Sequence, residues 1–410
     1  MEKTVSPTTQ NALTWRQVMN RKLVFSLLNK IEKVHLRLTE DFATSTTYYE
    51  FGPADSSLSA EIRIHDVKAY QCLISGGSIG AAEAYIEHLW SSPNLTRLIE
   101  AFVLCQEQLD ALENKTPWLQ KIKNNWFHWR NKNSNQQAKK NILAHYDLGN
   151  ELYQRFLDPE MMYSSAIYPD PHCDLDQAQL HKLDLICQRL ELTKEDHLIE
   201  IGTGWGGLAI YAATKYGCKV TTTTISDAQY QFALDRVKSL GLEDKITLLK
   251  QDYRLLEGKY DKLVSVEMIE AVGHQYYSTF FNKCNSLLKS GGKMLIQAIT
   301  IADQRFEHYK NNVDFIQRYI FPGGCLPSIE VMAQHLRKDT QMVVHELHDI
   351  GLDYAKTLAH WRHRFHLNWH ELKQLGFDEP FKRLWEFYLS YCEGAFLQRA
   401  TSTVHLIARK

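Results

Sequence analysis

The alternation of apolar and polar positions changes character along the chain. Residues 11–36 carry Leu13, Val18, Leu23, Leu27, Leu28, Ile31 and Val34 at helical spacing among Arg16, Arg21, Lys22, Lys30 and Lys33, which predicts a basic amphipathic helix. The pattern then shortens. Runs at 34–38, 46–51 and 60–67 read as strands, and helical spacing returns over 81–89 and 95–112. Strands set between helices predict a small α+β unit over residues 1–112. From His197 a second alternation begins. Apolar or β-branched runs at 197–201, 219–225, 246–250, 262–268 and 293–301 are separated by helical segments. Two further runs, 342–350 and 403–408, extend the series around a helical stretch rich in aromatics. Such alternation predicts an α/β domain over residues 141–410, with a parallel sheet covered on both faces.

Composition narrows the function classes. The chain has 410 residues, and 47 basic against 48 acidic side chains leave a net charge of −1, which disfavours a nucleic-acid binder. Eight cysteines occur singly, with no Cys-x-x-Cys pair, so neither a disulfide scaffold nor structural zinc is expected. His360, His363, His366 and His370 share a helical spacing, but Arg362, Arg364 and aromatic residues lie between them, and a solvated helix face is expected there rather than a metal site. No apolar run has the ~18 residues of a membrane span and no signal peptide is evident, so a cytoplasmic protein is expected. One segment stands apart. Residues 113–140 form a basic aromatic linker, with seven Lys/Arg and no Asp/Glu from Lys115 to Lys140 beside Trp118, Trp126, Phe127 and Trp129. It reads either as a solvated linker or as a segment that lies against an anionic bilayer.

The sharpest chemical signal is Glu200-Ile201-Gly202-Thr203-Gly204-Trp205-Gly206-Gly207, where a strand passes into a helix. Glycines at this turn let the backbone approach a ligand closely. The run also satisfies the dinucleotide pattern through Gly202, Gly204 and Gly207, yet Thr221 to Thr224 stand where that reading needs an acidic residue. An acidic residue two places before the first glycine, as Glu200 is, fits the nucleoside-binding turn of a methyltransferase.

Several segments together resemble the cyclopropane-fatty-acyl-phospholipid synthases. They are Ala144-His145-Tyr146-Asp147-Leu148-Gly149-Asn150, Leu157-Asp158-Pro159, Met162-Tyr163-Ser164, the glycine run, Gln251-Asp252-Tyr253-Arg254, the stretch from Ser265 to Gly273, and that from Tyr319 to Pro327. The resemblance covers roughly residues 34–410 in the family's order. It implies a class I methyltransferase with a doubly wound, Rossmann-like, seven-strand sheet, a helical insertion and a small N-terminal α+β lipid-binding domain. Ser75-Gly76-Gly77-Ser78-Ile79-Gly80 resembles part of that N-terminal domain. The implied reaction is methyl transfer from S-adenosyl-L-methionine to a double bond of an unsaturated phospholipid acyl chain. An isolated alkene is a poor nucleophile, so the methyl donor must be held close in a dry cavity. The resulting carbocation needs aromatic faces or negative charge nearby, and a base must remove a proton before the ring closes.

The resemblance also implies roles for residues. Tyr163 and Ser164 line the cofactor's methionine side, and Glu200, Gly202, Gly204, Trp205 and Gly206 form the turn beneath it. Thr224 and Gln229 match ribose contacts; Asp252 and Tyr253 match the adenine edge. A bicarbonate ion is the family's usual candidate base, and Glu270, Tyr354, Gln297 and Ile299 match the groups that grip it, with Gln297 where many members have His. Ser165 stands in place of a common Cys, and Ala271 in place of a common His. Gln donates a hydrogen bond but cannot shuttle a proton as His can. Cys392 lies where family descriptions place an essential cysteine, although the mechanism needs no thiol and a small residue packing one helix is the favoured reading.

The expected function is therefore a cyclopropane-fatty-acyl-phospholipid synthase, peripherally associated with the membrane, whose partner is unsaturated phospholipid at the bilayer surface; a homodimer is compatible with the sequence. Three alternatives stay open: a related enzyme giving methyl- or methylene-branched chains, a catalytically silent lipid-binding protein, and a plain Rossmann oxidoreductase.

Overall fold

The computed structural model describes residues 13–42, 46–105 and 149–410. The chain divides into two compact units, Met1–Lys115 and Thr116–Lys410. The segment 113–140 and the motif residues Ala144 to Leu148 lie outside the described residues.

In the first unit the helix Trp15–Leu28 opens on a capping box. The Thr14 side chain accepts from Gln17 N, and the Gln17 side chain accepts from Thr14 N, so two otherwise orphaned donors are satisfied. The helix is shorter than the apolar spacing predicts. It stops at Leu28, and Val34, 1% exposed, serves instead as the buried lead into the first strand. Four strands follow: β1 (His35–Glu40), β2 (Thr47–Phe51), β3 (Ser59–Ile64) and β4 (Trp90–Ser91), arranged β2-β1-β3-β4. β1 buries Leu36, Leu38 and Glu40 on one face, the period-2 pattern of a half-covered sheet. The charge of Glu40 is accounted for by Arg21 at 2.6 Å and the Tyr70 hydroxyl at 2.5 Å.

The second unit carries a seven-strand sheet. Its strands are β5 (His197–Ile201), β6 (Lys219–Thr224), β7 (Ile246–Lys250), β8 (Tyr260–Val266), β9 (Leu288–Ile301), β10 (Val343–Asp349) and β11 (Thr401–Arg409), in the order β10-β11-β9-β8-β5-β6-β7. β5 to β9 run parallel, while β11 pairs antiparallel with both β9 and β10. The central strands are built of apolar and β-branched residues because helices cover both faces, and two apolar clusters flank the sheet. The strand order reverses beside β5. In open sheets of this kind ligands bind outside the carboxyl ends of the strands at that point.

Candidate active site

The glycine run leaves β5 at this switch point. Gly207 is required for packing: a Cβ there would lie 2.6 Å from Glu160 O and 2.8 Å from Met162 Sδ. Gly204 differs. Its φ is +52°, and a Cβ there would meet no protein atom within 4 Å, so the backbone of the turn faces open space. This open backbone lies at the carboxyl end of β5, the strand beside which the order reverses.

The other residues expected around the cofactor lie at the same edge, with partners of their own. Thr224 ends β6, and its hydroxyl donates to Gln229 Oε1 at 3.0 Å. Asp252 follows β7 and holds Arg254 through its guanidinium and backbone N–H. Tyr253 packs edge-on against Phe280, with its hydroxyl buried and unpartnered. Glu200 is 3% exposed and accepts from Thr222 Oγ1, and burial pushes its carboxyl up to about 8. Trp205 is buried and donates to Asn150 Oδ1 at 2.8 Å.

Tyr163 and Ser164 stand at a junction of aromatic and ionisable groups. The Tyr163 hydroxyl lies 2.8 Å from that of Tyr388, and its ring packs 5.2 Å from Trp361 and 6.5 Å from Phe321. Tyr354 extends the cluster, stacked on Phe396 at 4.5 Å and edge-on to Trp361 at 5.9 Å. Rings in such number favour a cation held among them. Ser164 Oγ accepts from Lys182, a fully buried lysine that the sequence reading left unassigned. Burial lowers the Lys182 ammonium to about 8, against the opposing effect of Glu267, Asp158 and Glu200 nearby.

The carboxyl ends of β8 and β9 hold the acid–base groups. Glu270 sits in a short turn after β8, and its Oε1 accepts from Ile299 N at 2.5 Å. Its Oε2 is buried without a hydrogen-bond partner. Desolvation, reinforced by the nearby Glu267 charge, pushes Glu270 up to about 8.

Glu267 is the residue that sequence reasoning missed. It accepts from Ser165 N at 2.9 Å, from Gln297 Nε2 at 2.7 Å and from the Tyr354 hydroxyl at 2.9 Å. Its φ is +47°, a left-handed conformation that costs about 1–2 kcal/mol in a residue with a Cβ. The residues expected to grip a bicarbonate ion are thus brought together, but their donors are already engaged by the chain's own carboxylates. Ile299 N serves Glu270; Gln297, Tyr354 and Ser165 N serve Glu267. A bound bicarbonate does not fit this arrangement unless Glu267 is displaced.

Cys392 lies in the helix Glu379–Leu397, close enough to Tyr354 and Tyr388 to raise both phenols. Burial raises its own thiol, so it is protonated at neutral pH and unsuited to nucleophilic attack.

Comparison with known proteins follows the same lines. Residues 133–406 match the family model described as mycolic acid cyclopropane synthetase. The chain is 36% identical over 357 residues to the cyclopropane-fatty-acyl-phospholipid synthase of Escherichia coli strain K12, covering 84% of this chain and 86% of that one. It is 37% identical over 327 residues to the tuberculostearic acid methyltransferase UfaA1 of Mycobacterium tuberculosis, covering 78% and 76%. Among solved structures, the mycolic acid cyclopropane synthase CmaA1 complexed with SAH and CTAB aligns with a TM-score of 0.61 at 28% identity, over 66% of this chain and 98% of that one.

Proposed function

From the premise that the chain belongs to the mycolic acid cyclopropane synthetase family, we propose that it converts the double bond of an unsaturated phospholipid acyl chain into a cyclopropane ring. It is an S-adenosylmethionine-dependent methyltransferase, and the cofactor supplies an electrophilic methyl group carried on a sulfonium. The observation that carries the proposal is the meeting, at one edge of the sheet, of an open glycine turn, an aromatic cluster and two buried carboxyl groups. Tyr163, Trp361, Phe321 and Tyr388 exclude water and present ring faces to positive charge on the substrate. Glu270, anchored by Ile299 N, offsets that charge as it develops. Expression in a host that lacks cyclopropane lipids, followed by mass spectrometry of its fatty acids, tests the proposal. Acyl chains that gain one carbon and lose their reactive double bond support it; an unchanged fatty-acid profile contradicts it.

The product type has a second reading, favoured by the comparable identity to a tuberculostearic acid methyltransferase. A methylene-branched chain would arise if the substrate cation lost a proton without closing the ring, and a methyl-branched chain would need, in addition, hydride from a separate nicotinamide- or flavin-dependent reductase. The same lipid analysis separates these outcomes.

Among the described residues no helix is long and apolar enough to cross a membrane. The proposed phospholipid substrate resides in a bilayer, so the reading requires that the protein meet a bilayer surface. The helix Trp15–Leu28 suits this: Trp15, Met19 and Leu23 form an exposed stripe at four-residue spacing, with Arg16 and Lys22 exposed beside them. Flotation with liposomes is expected to show tighter binding to anionic than to neutral bilayers, weakened by salt over a Debye length of ~8 Å at physiological ionic strength. Equal, salt-insensitive flotation would remove the electrostatic clamp from this reading.

A further inference from the structure

The hydrogen-bond directions around Glu267 are set by a residue that can only donate. Arg189 Nη1 lies 2.6 Å from His405 Nδ1, so Nδ1 accepts and the ring proton sits on Nε2. His405 is fully buried, and burial together with Arg189 holds its pKa well below the usual range, which keeps it neutral in this tautomer. Its Nε2 lies 2.8 Å from Gln297 Oε1 and donates there, so the Gln297 amide must present its NH2 group to Glu267 Oε1. Ser165 N donates to the same oxygen, and the Tyr354 hydroxyl donates to Oε2.

Three donors therefore converge on one carboxyl group, the environment of an anion. Burial raises the pKa of Glu267, while these donors and the Lys182 ammonium oppose that rise. Glu270 has one backbone donor, an unpartnered Oε2 and the charge of Glu267 beside it. Two carboxylates so placed do not both ionise readily; the hydrogen bonds assign the charge to Glu267 and the proton to Glu270.

We infer that Glu267 is the base of the reaction, a side chain standing where an external anion would otherwise be held, so that this chain needs no bicarbonate. The inference rests on the alkene-alkylating function proposed above. Glu267 Oε1 has both lone pairs occupied, by Ser165 N and Gln297 Nε2, whereas Oε2 holds only Tyr354 and keeps one lone pair free. In the step assigned to it, a C–H bond of the transferred methyl group breaks. Its electron pair closes the third ring bond on the cationic carbon, and the proton passes to Oε2. Arg189, His405 and Gln297 act as positioning residues, since each fixes the orientation of the next.

The test uses the full-length protein with S-adenosylmethionine and unsaturated phospholipid vesicles, in bicarbonate-free buffer and with added sodium bicarbonate. The parent is expected to turn over equally in both. Glu267→Gln should be slower by roughly 10² or more while still binding the cofactor. Glu267→Gly, which relieves the left-handed backbone and vacates the cradle, should be slow without bicarbonate and accelerate by ~10-fold or more with it. A readout independent of catalysis is calorimetric titration with sodium bicarbonate, expected to give saturable heat with Glu267→Gly and none with the parent. Bicarbonate-dependent turnover or bicarbonate binding by the parent would overturn the inference, as would a Glu267→Gln variant of near-parental rate. A parent that alkylates no lipid in either buffer overturns the functional proposal instead, and the calorimetric comparison still decides whether Glu267 fills the anion site.

Discussion

Replacing Gly204 by valine is expected to lower the affinity for S-adenosylmethionine by ~10²-fold or more, a loss of about 3 kcal/mol. Two effects combine at this position. The new side chain enters the open space beside the turn, and its Cβ must be held at φ +52°, which costs about 1–2 kcal/mol in stability. Gly241 separates them. It has φ +63° and equally open surroundings, but it lies between the helix Asp227–Ser239 and the amino end of β7, not at the carboxyl ends of the strands. Gly241→Val should therefore reproduce the drop in melting temperature and leave cofactor affinity intact. Unchanged affinity in a folded Gly204→Val variant, measured by calorimetry, would refute the placement of the cofactor over this turn.

Glu270→Gln is expected to make the protein more stable and the enzyme slower by roughly 10² or more. The stability change follows from linkage. Burial and Glu267 raise the Glu270 carboxyl from 4.5 to about 8, so between these values the folded protein retains a proton that the unfolded chain has released. Stability falls as pH rises through that window, by a total on the order of several kcal/mol. The glutamine variant has no such term, so its melting temperature should draw ahead of the parent's as pH increases from about 5 to about 8. Parallel curves would show that Glu270 is ionised throughout. The rate change follows from the same group. With a pKa near neutrality, Glu270 is ionised in part of the population, and that carboxylate offsets positive charge beside it, whereas an amide supplies no charge. Turnover within a few-fold of the parent, in a folded variant that binds cofactor, would remove Glu270 from the mechanism.

His197–Ile201 was legible because it is buried on both faces, and the edge strand Ile246–Lys250, with only Ile246 buried, still forms where its apolar and β-branched run predicts. β9 begins earlier than its apolar run, at Leu288, where an irregular pairing with Tyr260 precedes the regular register from Lys262 and Lys293 onward. β4 has only two residues and leaves no periodic trace. β8 stops at Val266 rather than Met268, because Glu267 turns into the left-handed region and directs its carboxylate to Ser165, Gln297 and Tyr354. Those partners lie 102, 30 and 87 residues away, so local spacing carries no sign that they meet. The one available signal was an ionisable residue ending a buried strand, three places before Glu270. Lys182 was hidden differently. Its helix has a polar composition, and only the packed structure shows that this lysine points inward to Ser164.

The most direct test of the central claim is transfer from S-adenosylmethionine carrying a trideuterated methyl group to defined unsaturated phospholipid vesicles, analysed by mass spectrometry of the released acyl chains. A cyclopropane ring whose new carbon retains two of the three deuterons is the predicted result, since one is surrendered to the base as the ring closes. Absence of deuterium from the lipid, under conditions in which the folded protein binds the cofactor, would contradict the account.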